Sequence, residues 1–485
     1  MQVQRIGCCA TLLRINKKQR VLYSCRPARE HEVQRPAEAF SLFVHHHLSP
    51  AVWNAISRIT KIHEAASRSV PVAALRHPPS RLSDLLMRYA HDMKRDADVE
   101  GAPGVAAQRL EPLHVCVIGL RGIPDVIGGI EAHCERLYPE IRTLDPTISV
   151  TLLIRRGYTK ASRFNYRGLD IIALWSPILW GVDTLIHTAW ALIYARFRVH
   201  PDVVHIHGIG PAFFTPLARL LGFRTIVTHH AADYERPKWT RRGRAFLKIG
   251  ERMAGYFANR IVCVSQAQLH AFLDKVPIAA RRSTVIRHAG GIEDLDLPNS
   301  SDVLDRLGVG SGRYVLAVGR LEATKGFHDL VQACERADLG DTKLVIVGSD
   351  AGNLDYAVQL RAHASERIVF AGYQSGADLR RLYQSASLFV HPSYMEGFAL
   401  VVSEALSADI PMLVSDIPPH REFGLEDSCY VPASDVEALV EALEVPDYRV
   451  YRSQMARSRQ KTTSWSSVAR RHIDIFREVA KRRLF

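Results

Sequence analysis

"YVLAVGRLEATKGFHDLVQACERADLGDTKLVIVGS", residues 314–349, decides the fold. Its ends, 314–320 and 343–349, are short runs of β-branched and aliphatic residues. The segment between them has the amphipathic spacing of a helix that starts near Gly326. Strand, helix, strand in that order is the βαβ unit of a parallel sheet, because parallel neighbours need a long crossover. Working outward, the alternation continues through "RIVFAGY" (367–373), "LFVHPS" (388–393) and "PMLVSD" (411–416). It also precedes the unit, in "HVCVIGL" (114–120), "SVTLLIR" (149–155), "DVVHIHG" (202–208), "RTIVTHH" (224–230) and "RIVCVSQ" (260–266). Two Rossmann-like α/β domains in series are expected, facing across a cleft outside the carboxyl ends of their strands, where such folds bind ligands.

The expected organisation is a largely irregular N-terminal extension over 1–110, a first Rossmann-like domain over 111–290, a second over 291–455 and a C-terminal helix over 456–485 packing back on the pair. The segment 283–302, rich in Gly, Pro, Asn and Ser, reads as the linker. Within the extension, His45, His46 and His47 are adjacent and cannot converge on one metal ion from regular structure. The apolar region 169–197 is interrupted by Pro177, Gly181, Asp183 and His187, and so predicts a buried strand and helix, not a membrane span. The start of the chain is not that of a secretory signal, and the eight cysteines lack zinc spacing, which fits a reduced cytoplasm. A formal net charge of +13 points to an acidic partner: nucleic acid, an anionic membrane surface or a phosphorylated ligand.

Three stretches carry the chemistry. After the first strand, Gly119, Gly122, Gly128 and Gly129 precede a helix, so backbone can approach an anion at the helix start. Their spacing is not G-x-G-x-x-G, which disfavours a dinucleotide. In the second domain Arg320 and Lys325 stand on the loop after the first strand; an arginine fork and a compact lysine charge suit a diphosphate. Finally, "HPSYMEGFALVVSEAL" (391–406) reads as strand, loop and a helix beginning near Gly397. The amides of Gly397, Phe398, Ala399 and Leu400 would then be unpaired donors, with Glu396 just before the helix and Glu404 about two turns in, roughly 12 Å along the axis. Carboxylates at both ends and donors between fit a nucleotide-sugar.

These motifs, with "DVVHIHGIGPAFFTPLARLLG" and "VTHHAADYERPKWTRRGRAFLKIGERMA", resemble the retaining GT-B glycosyltransferases of family four over 114–480. Within that family the chain is similar to bacterial enzymes of surface-polysaccharide assembly, some of them rhamnosyltransferases, that act on lipid-linked acceptors. The resemblance implies that Glu396 touches hydroxyls of the donor sugar and Glu404 the nucleotide ribose. It also implies that Arg320 and Lys325 hold the diphosphate, with Gly128 and Gly129 against it from the first domain. His207, the second histidine of "VHIHG", would contact the transferred sugar, and Gly372 and Tyr373 would line the base pocket. Relatives carry Pro-Asn-Gly where this chain has "RHAGGIED" (287–294), which puts the interdomain contact made there in question.

No side chain is placed as a covalent nucleophile, so a front-face substitution is expected, in which the leaving diphosphate helps deprotonate the acceptor hydroxyl and the protein stabilises the departing charge. No metal and no cofactor are expected, although "DLD" (294–296) has the form of a metal-binding Asp-x-Asp. The basic stretch 235–253, with Arg236, Lys238, Arg241, Arg242, Arg244 and Lys248 around Trp239 and Phe246, is the candidate for an anionic membrane surface. No nucleic-acid module accompanies it. The expected location is the cytoplasm, peripheral on the cytoplasmic face of the inner membrane. Alternatives are a nucleotide-sugar epimerase or a non-catalytic nucleotide-sugar-binding scaffold of the same fold.

Overall fold

The computed structural model describes residues 111–177, 182–236, 239–290, 302–350, 354–453, 456 and 464–481. The N-terminal extension, "DLD" and Lys238 lie outside the described residues. Eight strands form the first sheet: β1 (Leu113–Ile118), β2 (Ile148–Arg155), β3 (Arg163–Tyr166), β4 (Leu169–Leu174), β5 (Val203–His207), β6 (Arg224–His229), β7 (Arg260–Cys263) and β8 (Ser283–Val285). Their order is β3-β4-β2-β1-β5-β6-β7-β8, and only β3 runs antiparallel to its neighbour. Six strands form the second: β9 (Tyr314–Val318), β10 (Lys343–Val347), β11 (Ile368–Gly372), β12 (Leu388–His391), β13 (Met412–Ser415) and β14 (Tyr430–Val431), in the parallel order β11-β10-β9-β12-β13-β14.

Helices cover both sheets, so central strands are apolar on both faces. Val115 and Val117 of β1 face one cluster, which includes Leu137 and Phe476, while Cys116 and Ile118 face another with Leu192 and Ala254. The cysteines of β1 and β7, Cys116 and Cys263, are buried free thiols.

Both sheets reverse direction at their first strand. β1 is flanked by β2 and β5, and β9 by β10 and β12. Loops leaving the carboxyl ends of β1, β5, β9 and β12 therefore diverge, and each pair opens a crevice at the switch point. The strands end up to three residues earlier than their apolar runs suggest, as in Arg260–Cys263 against 260–266.

Three differences from the sequence reading matter. Residues 283–285, assigned to the linker, are the edge strand β8, which pairs with β7. The interdomain segment also makes the contact that its missing Pro-Asn-Gly put in question: a Cβ at Gly290 would overlap Ser403, and the His288 ring meets Phe398 edge-on at 5.6 Å. The C-terminal helix, Trp465–Lys481, inserts Trp465, Val468, Ala469, Phe476 and Val479 into the core of the first domain. Charged residues of this helix are tied to the first domain as well: Arg477 Nη2 donates to Asp145 at 2.8 Å, and Glu478 accepts from Arg260 Nε at 3.0 Å.

Candidate active site

The loops after β9 and β12 run side by side. Gly326 adopts φ +65°, and a Cβ there would overlap the Pro392 carbonyl oxygen, so only glycine satisfies both the left-handed turn and the close approach. Tyr394 N donates to Thr324 O at 2.9 Å and Ser393 Oγ to the same oxygen at 3.0 Å, which locks the loops together. Arg320, Lys325 and Glu396 all issue from this seam.

Lys325 Nζ donates to Glu396 Oε1 at 2.5 Å, and His391 Nε2 donates to the same oxygen at 2.7 Å. Burial works against the Glu396 charge, but the Lys325 ammonium and the His391 bond outweigh it and hold the carboxyl well below its ordinary range. Arg320 Nη2 pairs with Glu322 Oε1 at 3.0 Å, and Arg236 Nη1, from the first domain, reaches the same oxygen at 3.3 Å. Arg236 Nε lies 3.0 Å from Asp233 Oδ1. Burial and the neighbouring Arg236 lower the Arg320 pKa, opposed by Glu322, Asp233 and Glu396. Three cations and three carboxylates thus meet where the domains face each other.

The helix expected near Gly397 is Leu400–Ser407, three residues later. Its delayed start has two consequences. The Leu400 amide is engaged, donating to Phe398 O at 3.1 Å, and Glu404 stands about one turn into the helix, not two. A Cβ at Gly397 would overlap the His230 carbonyl oxygen, so the two domains touch backbone to backbone there. Glu404 accepts from Tyr383 Oη at 3.0 Å. Burial raises its pKa, against the pull of Arg136 from the first domain and of the Tyr383 bond.

Gly128 caps the helix Gly129–Leu144. The space beside Gly128 is filled by Glu131 and Arg121, which bond each other at 3.0 Å, whereas Gly129 is exposed and open on its Cβ side. Gly372 has φ +67° at the end of β11, and Tyr373 after it is 54% exposed, free to stack.

His207 needs correction. It does not reach the cleft: it has no exposed surface, its Nε2 lies 2.6 Å from Tyr138 Oη, and its Nδ1 lies 2.9 Å from His230 Nε2. It belongs to a histidine cluster with His133, His205, His230, His288 and His472, where His133 and His288 have ring centroids 4.1 Å apart. Of these, His230 is partly exposed and is the histidine nearer the cleft. The sequence does not single it out, nor Glu322 and His391, and it assigns Arg236 to the membrane-facing stretch and not to the cleft. The doublet "HH" (229–230) at the end of a strand was the available signal, since successive residues there point to opposite faces.

Among the described residues, one group, His391, Glu396 and His420, brings potential metal-ligating atoms within 4.8 Å of one another. Its carboxylate already accepts from Lys325, whose ammonium a divalent ion would have to displace.

Comparison with known proteins agrees with this geometry. Residues 127–289 match the profile of Glycosyltransferase Family 4, and residues 307–445 match that of Glycosyl transferases group 1. An uncharacterized glycosyltransferase of Methanocaldococcus jannaschii is 37% identical over 109 residues, 22% of this chain and 27% of that protein. The chain thus spans about a quarter of that relative's length. A GDP-mannose:cellobiosyl-diphosphopolyprenol alpha-mannosyltransferase of Xanthomonas oryzae pv. oryzae is 27% identical over 299 residues, 57% of this chain and 74% of that enzyme. The crystal structure of Anabaena HepE in complex with UDP-glucose covers 76% of this chain and 100% of its own, with a TM-score of 0.61 at 18% identity. The two profile matches follow one another across the two sheets: the chain has the GT-B fold, with a first domain similar to the Glycosyltransferase Family 4 profile and a second similar to the Glycosyl transferases group 1 profile.

Proposed function

We propose that the protein is a retaining glycosyltransferase that moves a sugar from a nucleotide-diphosphate donor to a lipid-linked glycan in surface-polysaccharide assembly. The observation that carries this reading is the delivery of Arg320, Lys325 and Glu396 to one seam by the two loops that flank the switch point of the second sheet. The names of similar proteins support it: a GDP-mannose-dependent transferase with a diphosphopolyprenol-linked acceptor, and a protein of like fold crystallised with UDP-glucose.

In this reading Arg320 and Lys325 hold the diphosphate, Gly129 approaches it from the first domain, Glu396 accepts from sugar hydroxyls and Glu404 from the ribose. Tyr373 stacks on the base. The acceptor oxygen attacks the anomeric carbon on the face from which the diphosphate leaves. As the carbon–oxygen bond to phosphate breaks, the acceptor proton passes to the departing phosphate oxygen. Lys325 and Arg320 stabilise the charge that develops there, in a site partly closed to water. No metal is needed for that neutralisation, so turnover is expected to persist in EDTA.

Membrane association rests on a revised surface. Arg236 faces the cleft, and Trp239 and Phe246 pack against Ile209, Tyr234 and Leu247. The exposed face of the helix Arg241–Phe257 instead carries Arg241, Arg242, Arg244, Lys248, Arg252 and the apolar Ile249 and Tyr256. No described helix is long and apolar enough to cross a membrane. Sedimentation with anionic but not neutral vesicles is expected. The whole reading is tested by incubating the protein with a panel of nucleotide-sugars and polyprenyl-diphosphate glycans, followed by mass spectrometry. A mass gain of one sugar on the lipid-linked glycan is expected, and consumption of donor without any acceptor product would favour an epimerase.

A further inference from the structure

We propose that Arg236 of the first domain is a third cationic ligand of the donor diphosphate, and that Glu322 occupies the diphosphate's place between Arg236 and Arg320 until donor displaces it. This rests on the donor-binding reading above.

A single oxygen, Glu322 Oε1, lies 3.0 Å from Arg320 Nη2 and 3.3 Å from Arg236 Nη1. One oxygen shared by two guanidinium groups from opposite domains is the arrangement that a phosphate oxygen bridging the cleft would adopt. Arg236 is held ready for it. The turn Asp233–Glu235 lies in β6's exit loop, and Arg236 N closes it by donating to Asp233 O at 3.2 Å. Tyr234 in that turn is buried, with its hydroxyl 3.1 Å from both oxygens of Glu251 and accepting from Lys275 Nζ at 2.5 Å. The loop is thereby anchored to the core of the first domain, and Asp233 is an ion-pair partner of the guanidinium, with Oδ1 3.0 Å from Nε.

Charge explains why Glu322 must yield. With Glu322 in place, Arg236, Arg320 and Lys325 are balanced by Asp233, Glu322 and Glu396, so the cluster is neutral and a diphosphate would meet a carboxylate at its binding point. Glu322 sits at the start of the short turn Ala323–Lys325, on a loop bordering the cleft, and can rotate out without disturbing a strand. The diphosphate then replaces one negative charge with two or more, against the same two guanidinium groups. Because those groups belong to different domains, the exchange also keeps the domains bridged throughout binding.

The test is calorimetric titration of UDP and GDP, with uridine and guanosine as phosphate-free controls, into the full-length wild type, Arg236→Gln, Arg236→Lys and Glu322→Gln. Arg236→Gln is expected to weaken the bound nucleoside diphosphate about tenfold, or about 1.4 kcal/mol, with nucleoside affinity and unfolding midpoint unchanged. Arg236→Lys should recover part of that loss, and Glu322→Gln should bind the diphosphate several-fold more tightly than wild type. Wild-type affinity in Arg236→Gln, or weaker binding in Glu322→Gln, overturns the proposal while leaving the donor-site reading intact. Failure of the wild type to bind either nucleoside diphosphate overturns both.

Discussion

Lys325 and Glu396 share the shortest ion pair of the seam, 2.5 Å, with side chains only 12% and 10% exposed. Removing the cation alone strands a buried carboxylate, so Lys325→Ala is expected to cost about 3 kcal/mol at pH 7 as well as most of the turnover, with the fold retained. The sign of its pH dependence follows from the depressed carboxyl. Glu396 stabilises the native state above the unfolded carboxyl pKa, and that stability is lost as pH falls through the folded value. The gap between wild type and Lys325→Ala in urea unfolding should therefore narrow from pH 7 to pH 4. Arg320→Ala, whose partner Glu322 borders the cleft, should lower turnover at least a hundredfold with a smaller stability change, read from steady-state rates and thermal unfolding. Arg320, Lys325 and Glu396 were legible in the sequence because each follows a strand's carboxyl end, which topology alone sends to the crevice. His207 was not. A histidine at the end of a strand reads alike whether it faces cleft or core, and the partners that decide, Tyr138 and His230, lie 69 and 23 residues away.

The helix Leu400–Ser407 shows what an apolar pattern resolves and what it leaves open. Its existence and its buried face, Val402, Ser403, Ala405 and Leu406, follow from spacing. Its first residue depends on the contact of Gly397 with the His230 carbonyl, which holds 397–399 out of helical conformation and which sequence spacing does not register. Gly397→Ala should force those loops apart, lowering kcat/KM at least tenfold while the unfolding midpoint stays near wild type, because neither sheet is touched. The C-terminal helix, by contrast, is expected from the sequence only to pack back on the pair. Its apolar stripe is a core element, with Phe476 fully buried in the first domain. Phe476→Ala should cost about 3–5 kcal/mol in urea unfolding, far more than the loss of a surface helix contact.

At the scale of the molecule, alternating strands and helices made two Rossmann-like domains readable from the chain, since parallel sheets require that alternation. The histidine cluster beneath the cleft was not readable, because it assembles from two strand ends, a loop and two helices. His133, His205, His207, His288 and His472 are all buried, and burial lowers every one of their pKa values, His288 to about 3 and His472 to about 4. Both folded and unfolded forms are neutral above pH 6.5. Below it the unfolded chain takes up protons that the folded cluster refuses, and stability falls as pH drops toward the folded values. Each such histidine contributes a slope of about 1.4 kcal/mol per pH unit, so unfolding free energy should decline steeply between pH 6.5 and pH 4.5. His133→Leu, which removes one titrating ring, should flatten that slope. The most direct measurement of the donor-site claim is a crystal structure of the protein with a bound nucleoside diphosphate. Phosphate oxygens within hydrogen-bonding distance of Arg320 and Lys325, with the ribose at Glu404, are the predicted result. A diphosphate seated away from the seam between the loops after β9 and β12 would contradict it.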